Sequence, residues 1–315
     1  MCAQEAIASA KPIRPISAFV PSSQKATVLE KKRRITPEFQ DICRVLREKQ
    51  TSLPAPDLSI ATPFMRPQMV DWLFRTCDYF KFSAKIEFQA LCYVDLYSSR
   101  RVVNSDELGL LFLTSLILAA RYQDIEIGNE AALKMCDGKY STESIKAMEY
   151  KLTNTGFFHP DHPTVFDFLS LLWQAAGYPP YAQDRRNHPI VEASLIFMSV
   201  MAIDPVFTTN ASSGIASAAF FFARDICHFV NLWDGRYQKC ILMRKEDVKE
   251  VALDFIPKMQ FCLLSKTVPS FLVCQRFVHL IVAHRQKHEH VSKNIQSKNT
   301  KAQCFWDNGD VKNFD

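Results

Sequence analysis

Two stretches of this chain, Leu108 to Ala120 and Ser212 to Phe229, are apolar nearly all round at helical period, and each carries an Ala-Arg pair near its end, at Ala120-Arg121 and Ala223-Arg224. A helix with one apolar stripe can lie on a surface, but one without a polar face must be enclosed. The first stretch, bounded by Glu107 and Arg121, is too short to cross a bilayer, so other helices have to enclose it. The sequence therefore predicts a central helix wrapped by its neighbours, twice over.

The neighbours are present. Ahead of and behind the first central stretch, apolar period predicts helices from Met65, over Ser83 to Tyr97, Asn104 to Tyr122, Glu130 to Cys136 and Ser141 to Asn154. Asn104 with Glu107 has the spacing of a capping box. After His159-Pro160-Asp161-His162-Pro163, read as an interdomain turn, the pattern restarts with Thr164 to Ala176, Pro189 to Ala202, Ser212 to Phe229 and Glu246 to Leu263. A short irregular piece is expected around Trp233 to Cys240. A leading helix, Thr36 to Lys49, carries Phe39, Ile42, Cys43 and Leu46 as its stripe, a Thr cap and Pro37 in the first turn. A final helix is predicted over Pro269 to His284. The expected fold is all-α: two tandem five-helix units with flanking N-terminal and C-terminal helices. Residues 1–35, with the basic run Lys31-Lys32-Arg33-Arg34, read as a flexible arm, 36–160 and 161–285 as the two units, and 286–315 as a disordered tail.

Composition excludes several function classes. Eight glycines beside 24 phenylalanines leave little room for glycine-rich phosphate loops or strained catalytic turns. There is no Walker A sequence, HExxH, GxSxG or GxGxxG, so no catalytic residue, metal or cofactor is expected. None of the ten cysteines makes a CxxC pair, and Cys43, Cys77, Cys92, Cys227, Cys262 and Cys274 sit in apolar helical patterns, as buried thiols in a reducing compartment would. The start of the chain has no apolar export segment, and no membrane association is expected. A net charge of +5 is too mild for a nucleic-acid reader.

Charges interrupt two apolar stripes. Asp95 falls in register with Phe88, Leu91 and Cys92, and Arg66 is the cation nearest in sequence; a bidentate pair would lock two helices together. Glu149 falls among Ile145, Met148 and Leu152, and Arg121 closes the central helix. Either these two pair internally, or both face a partner. The helix from Met65 has a core stripe, Val70, Leu73, Phe74 and Cys77, and a second one, Met65, Met69 and Trp72, that reads as a groove, a subunit contact or simply more core.

Met65-Arg66-Pro67-Gln68-Met69-Val70-Asp71-Trp72-Leu73, Tyr93-Val94-Asp95-Leu96-Tyr97, Leu116 to Ile125 and Ala147-Met148-Glu149 together resemble, in order and spacing, the cyclin box. Pro163-Thr164-Val165 with Phe168-Leu169 is similar to the opening of the second fold of A- and B-type cyclins. The resemblance implies two stacked cyclin folds and a regulatory subunit, not an enzyme, that docks on a cyclin-dependent Ser/Thr kinase and turns a glutamate of the kinase's mobile helix inward to control cell-cycle progression. It assigns kinase binding to Arg121, Tyr122, Glu149 and Phe158, a docking groove for kinase substrates or inhibitors to Met65, Met69 and Trp72, and a structural pair to Arg66 and Asp95. At three groove positions this chain carries Gln68, Arg75 and Gly109, and a basic Arg75 would repel an arginine-containing motif. No Arg-x-x-Leu or Lys-Glu-Asn destruction signal and no Leu-x-Cys-x-Glu motif occurs within it. Residence in nucleus and cytoplasm is expected. The rival readings are a cyclin-fold scaffold that activates no kinase and a transcription factor of the TFIIB kind, for which the chain offers neither a basic helix face nor a zinc ribbon.

Overall fold

The structure, a computed structural model, describes residues 35–51, 65–154, 158–178, 188–204, 207, 210–227, 229, 231–264, 274–277 and 279–281. Among the described residues there are eleven helices and no strand: α1 (Pro37–Thr51), α2 (Arg66–Phe80), α3 (Ala84–Ser98), α4 (Ser105–Tyr122), α5 (Asn129–Met135), α6 (Thr142–Thr153), α7 (Val165–Ala175), α8 (Pro189–Ala202), α9 (Ser212–Ile226), α10 (Gly235–Ile241) and α11 (Lys245–Leu264). Residues 274–277 and 279–281 are also helical. The expected arm and its Lys31–Arg34 run, the prolines 54, 56 and 63, and the expected tail lie outside the described residues.

The two apolar stretches are the two hubs. Helix α4 packs against α2, α3, α5 and α6, and α9 against α7, α8 and α11. Phe220, Phe221 and Phe222 are at most 1% exposed. Successive helical side chains are turned by about 100°, so three in a row are covered only on an enclosed helix. Each contributes roughly 1.5–3 kcal/mol relative to exposure. Helix α9 ends earlier than its apolar run, at Ile226, and the chain folds back so that Phe229 donates its N–H to the carbonyl of Arg224 at 3.0 Å.

Three local expectations need correction. The piece around Trp233 to Cys240 is not irregular: Asp234 accepts from the N–H of Arg236 at 2.8 Å and starts α10, which buries Tyr237, Cys240 and Ile241, an i, i+3, i+4 set too short to stand out as a period. Asn104 accepts from the N–H of Glu107 at 2.8 Å, but no reciprocal bond closes the box, because the Glu107 carboxylate takes Lys151 of α6 at 2.7 Å. A complete capping box stands instead at Thr164 and Asp167, opening α7. Ile42, counted in the α1 stripe, is 52% exposed, while Cys43 is fully buried.

The units are tied through α1 and through residues 276–277. Helix α1 packs on α7 and α10 of the second unit. There Arg47 donates to the carbonyl of Cys240, and Gln50 accepts from the N–H of Ser213 at 2.7 Å. That amide belongs to the first turn of α9, whose N-cap Ala211 has no side chain to satisfy it. In return, Arg276 pairs with Asp78 near the end of α2 at 2.9 Å, and Phe277 packs edge-on to Phe197 of α8 at 5.6 Å. Cys43, Cys77, Cys240 and Cys274 are buried free thiols; Cys92, Cys136 and Cys227 are only half-buried, which corrects the expectation for Cys92 and Cys227, and the side chain of Cys262 lies outside the described residues.

Candidate functional site

Two faces carry the side chains singled out by the sequence. The first is built where α4 ends against α6. The last turn of α4 is closed by Asp124 in the left-handed region, φ 58°, with the N–H of Ile125 returning to the carbonyl of Ala120 at 3.0 Å. Arg121 thus stands at the negative end of the helix dipole, a favourable site for a cation. It pairs with Glu149 of α6, and the pair is open to solvent: the side chains are 55% and 26% exposed. Tyr122 and Tyr150 flank it, both exposed.

Phe158 is half-buried, with its ring 4.7 Å from that of Tyr93 on α3. The segment that carries it is pinned: Tyr93 Oη and Gln89 Nε2 both donate to the carbonyl of Pro160, at 3.1 and 3.3 Å, and Asp161 pairs with Lys49 of α1. Burial raises the Tyr93 hydroxyl far above its ordinary value, so it remains a donor. The Lys49 ammonium beside Asp161 holds that carboxyl below the usual range. Sequence reasoning missed this pinning. The only signal for it was the turn-forming His-Pro-Asp-His-Pro run, since nothing marks Gln89 or Tyr93 as partners of a carbonyl some seventy positions on.

The second face is α2. Met65, Met69 and Trp72 are half-buried against the core, with Gln68 exposed beside them. Arg75 is committed locally, its Nε 2.5 Å from Asp71, whose side chain is 8% exposed. A guanidinium already neutralised by a buried carboxylate projects less charge than the sequence suggests, so the expected repulsion is weakened. Gly109 is half-buried, and a Cβ there would overlap the hydroxyl of Tyr140 as it now stands.

Arg66 and Asp95 form a bidentate pair at 2.5 and 3.1 Å, 11% and 16% exposed, and Arg66 Nε also donates to the carbonyl of Ala202 at the end of α8, at 3.1 Å. The pair therefore joins α2, α3 and the second unit. Among the described residues no cluster of three or more His, Cys, Asp or Glu is set to hold a metal ion, and no helix is long and apolar enough to cross a membrane. The faces offer contact surface and a solvent-facing ion pair.

Residues 41–156 match the family model described as the cyclin N-terminal domain. The chain is 30% identical to the G2/mitotic-specific cyclin C13-1 of Daucus carota, over 61% of this chain and 56% of that protein. It is 28% identical to the G2/mitotic-specific cyclin-B of Hydra vulgaris, over 50% of this chain and 42% of that one. The chain thus spans about half the length of these relatives. Among solved structures it resembles a viral cyclin from herpesvirus saimiri, with a TM-score of 0.59 at 12% identity, over 69% of this chain and 96% of that chain. That likeness is one of fold.

Proposed function

Taking as premise that this chain belongs to the cyclin family, we propose that it is a non-catalytic regulatory subunit of a cyclin-dependent Ser/Thr kinase, acting in mitotic, A/B-like control of the cell cycle. The observation that carries this reading is the Arg121–Glu149 pair: two charges in register with apolar stripes, joined at the meeting of α4 and α6 and left open to solvent between Tyr122 and Tyr150. An exposed pair of this kind contributes less than about 1 kcal/mol to stability, so its exposure suits contact with a partner better than holding the fold. Its donors and acceptors would be satisfied by main-chain groups of the docked kinase, with Tyr122 and Phe158 as apolar contacts. Met65, Met69 and Trp72 would take a segment of a kinase substrate or inhibitor. The reading extends to work in nucleus and cytoplasm, with the Lys31–Arg34 run as the import signal; a fluorescent fusion that stays out of the nucleus would refute that part.

The test is co-purification of the full chain with candidate cyclin-dependent kinases, beside an Arg121→Ala/Glu149→Ala variant, followed by a histone-type kinase assay. The variant is expected to keep its fold by circular dichroism and to lose at least ~10-fold in kinase affinity, a change of about 1.4 kcal/mol. A Trp72→Ala variant is expected to keep kinase activation and lose substrate docking. A folded wild-type chain that binds no kinase would sink the proposal and leave a scaffold role in front.

A further inference from the structure

Gln89 stands one turn before Tyr93 on α3, and both are buried, at 2% and 0% exposed. A buried amide costs stability unless it is bonded, and a leucine at this point of the core would fill the space with nothing to satisfy. Gln89 uses its Nε2 to donate to the Pro160 carbonyl at 3.3 Å, beside the Tyr93 hydroxyl, which donates to the same oxygen at 3.1 Å. One donor lets a carbonyl pivot about the bond; two donors occupy both lone pairs and fix its direction. Pro160 has a ring-locked φ, so the direction of its carbonyl carries back along the chain to Phe158, two positions earlier, whose ring meets that of Tyr93 at 4.7 Å and 53°. Helix α3 is a firm base for this, packed on both α4 and α7. The other tie of the segment, Lys49–Asp161, is open to solvent, 46% and 51% exposed, and a pair of that kind holds weakly and is screened by salt.

We propose that Gln89 and Tyr93 are positioning residues for partner binding: acting as a pair on the Pro160 carbonyl, they hold Phe158 in the orientation on which a kinase docks. The inference rests on the proposed function, which makes Phe158 an apolar contact of the kinase, and it adds two buried residues that act through Phe158. A ring on an unheld segment samples several orientations and loses that freedom on docking, so part of the contact energy is spent on ordering it. With the carbonyl clamped from the core, the ordering is completed when the chain folds. Phe158 is half-buried, so it is at once held against Tyr93 and reachable by a partner.

The test measures the kinase affinity of the full chain in Gln89→Leu and Tyr93→Phe, alone, together and each in a Phe158→Ala background. Hydrogen–deuterium exchange over residues 158–164 accompanies it, with circular dichroism as the check on folding. Both substitutions leave an apolar group in place and no orphaned donor, and Tyr93→Phe keeps the ring contact with Phe158. Each single variant is expected to lose about 3-fold in affinity and the pair about 10-fold, with faster exchange over 158–164. In the Phe158→Ala background the same changes are expected to cost nothing further, since no ring remains to be positioned. Lys49→Ala is expected to stay within about 2-fold of wild type. If the double variant fails to fold, the two singles decide. Equal losses with and without Phe158 would mean a general loosening of the fold, and unchanged affinity or unchanged exchange in the folded singles would mean no clamp. A larger loss in Lys49→Ala than in the singles would put the hold at the surface pair. Each of these overturns the inference while the proposed function stands; a wild-type chain that binds no kinase refutes the proposed function and this inference with it.

Discussion

Replacing Arg66 by Ala removes three contacts at once: the two arms of the bidentate bond to Asp95 and the donor to the Ala202 carbonyl. With Asp95 only 16% exposed, the variant leaves a carboxylate with little water and no cation. Breaking a buried pair from one side costs about 3–5 kcal/mol. The orphaned Ala202 carbonyl adds roughly 0.5–1.5 kcal/mol. The expected loss at neutral pH is therefore about 4–6 kcal/mol, a large fraction of the roughly 5–15 kcal/mol that holds an ordinary domain.

Burial raises the Asp95 carboxyl above the ordinary carboxylate range, and the charge and hydrogen bonds of Arg66 pull it back only in part. An acid whose folded pKa lies above its unfolded value binds more protons when folded, so its contribution to stability falls as pH rises through that interval. Without Arg66 the carboxyl climbs further. The cost of Arg66→Ala is then greatest at pH 7 and shrinks toward pH 5. An Arg66→Met/Asp95→Leu double variant, which leaves no charge behind, is expected to recover most of the loss. Urea melts followed by circular dichroism at both pH values measure all of this. A single-variant cost under 1 kcal/mol, or a double variant as unstable as the single, would refute the reasoning.

Two further outcomes follow from backbone and packing. Gly109→Ala should stabilise by up to about 1 kcal/mol, because alanine is the better helix former inside α4 and the Tyr140 hydroxyl, at the far end of a flexible half-buried side chain, swings aside from the new methyl; the gain should be larger in a Tyr140→Phe background, measured by the same melts. Leu242 caps α10 in the left-handed region, φ 59°, with its side chain 66% exposed, so Leu242→Asn should raise stability by up to about 1 kcal/mol and the β-branched Leu242→Val lower it by about as much. Thermal scanning orders the three.

The hubs were legible because a helix without a polar face admits only one environment, and the Arg66–Asp95 pair because a charge in an apolar stripe demands a partner. What spacing could not supply was the far side of each contact. That Arg66 also reaches Ala202, or that Gln50 serves an amide of α9, depends on how the two units meet, and period carries no information about that. The two Ala-Arg pairs make the point most sharply. Arg121 faces solvent, whereas Arg224 is 1% exposed, donates to the carbonyl of Asn231 and the hydroxyl of Tyr237, and lies 4.4 Å from the centre of the Phe229 ring. Asp234 lies nearby; burial works to raise its carboxyl, but the bonds from Arg236 and the charge of Arg224 hold it below the usual range. The same dipeptide thus serves a surface in one unit and a core in the other. The difference was decided by Phe229 and Tyr237, further along the chain.

The docking of α1 has a consequence for how the protein is made. Its contacts to Cys240 and Ser213 span 193 and 163 positions. At a synthesis rate of roughly 5–20 residues per second, the ribosome is still about 10–40 s from delivering Cys240 when Arg47 leaves the tunnel. Throughout that interval α1 has no seat, and its Cys43 face is open to whatever meets a nascent chain. Of the five helices that follow, four can close around α4 on their own contacts, but the helix synthesised before them takes its place only after the second unit has folded. A chain stalled before residue 240 would keep α1 loose, and protease sensitivity near Cys43 would report how far assembly had run.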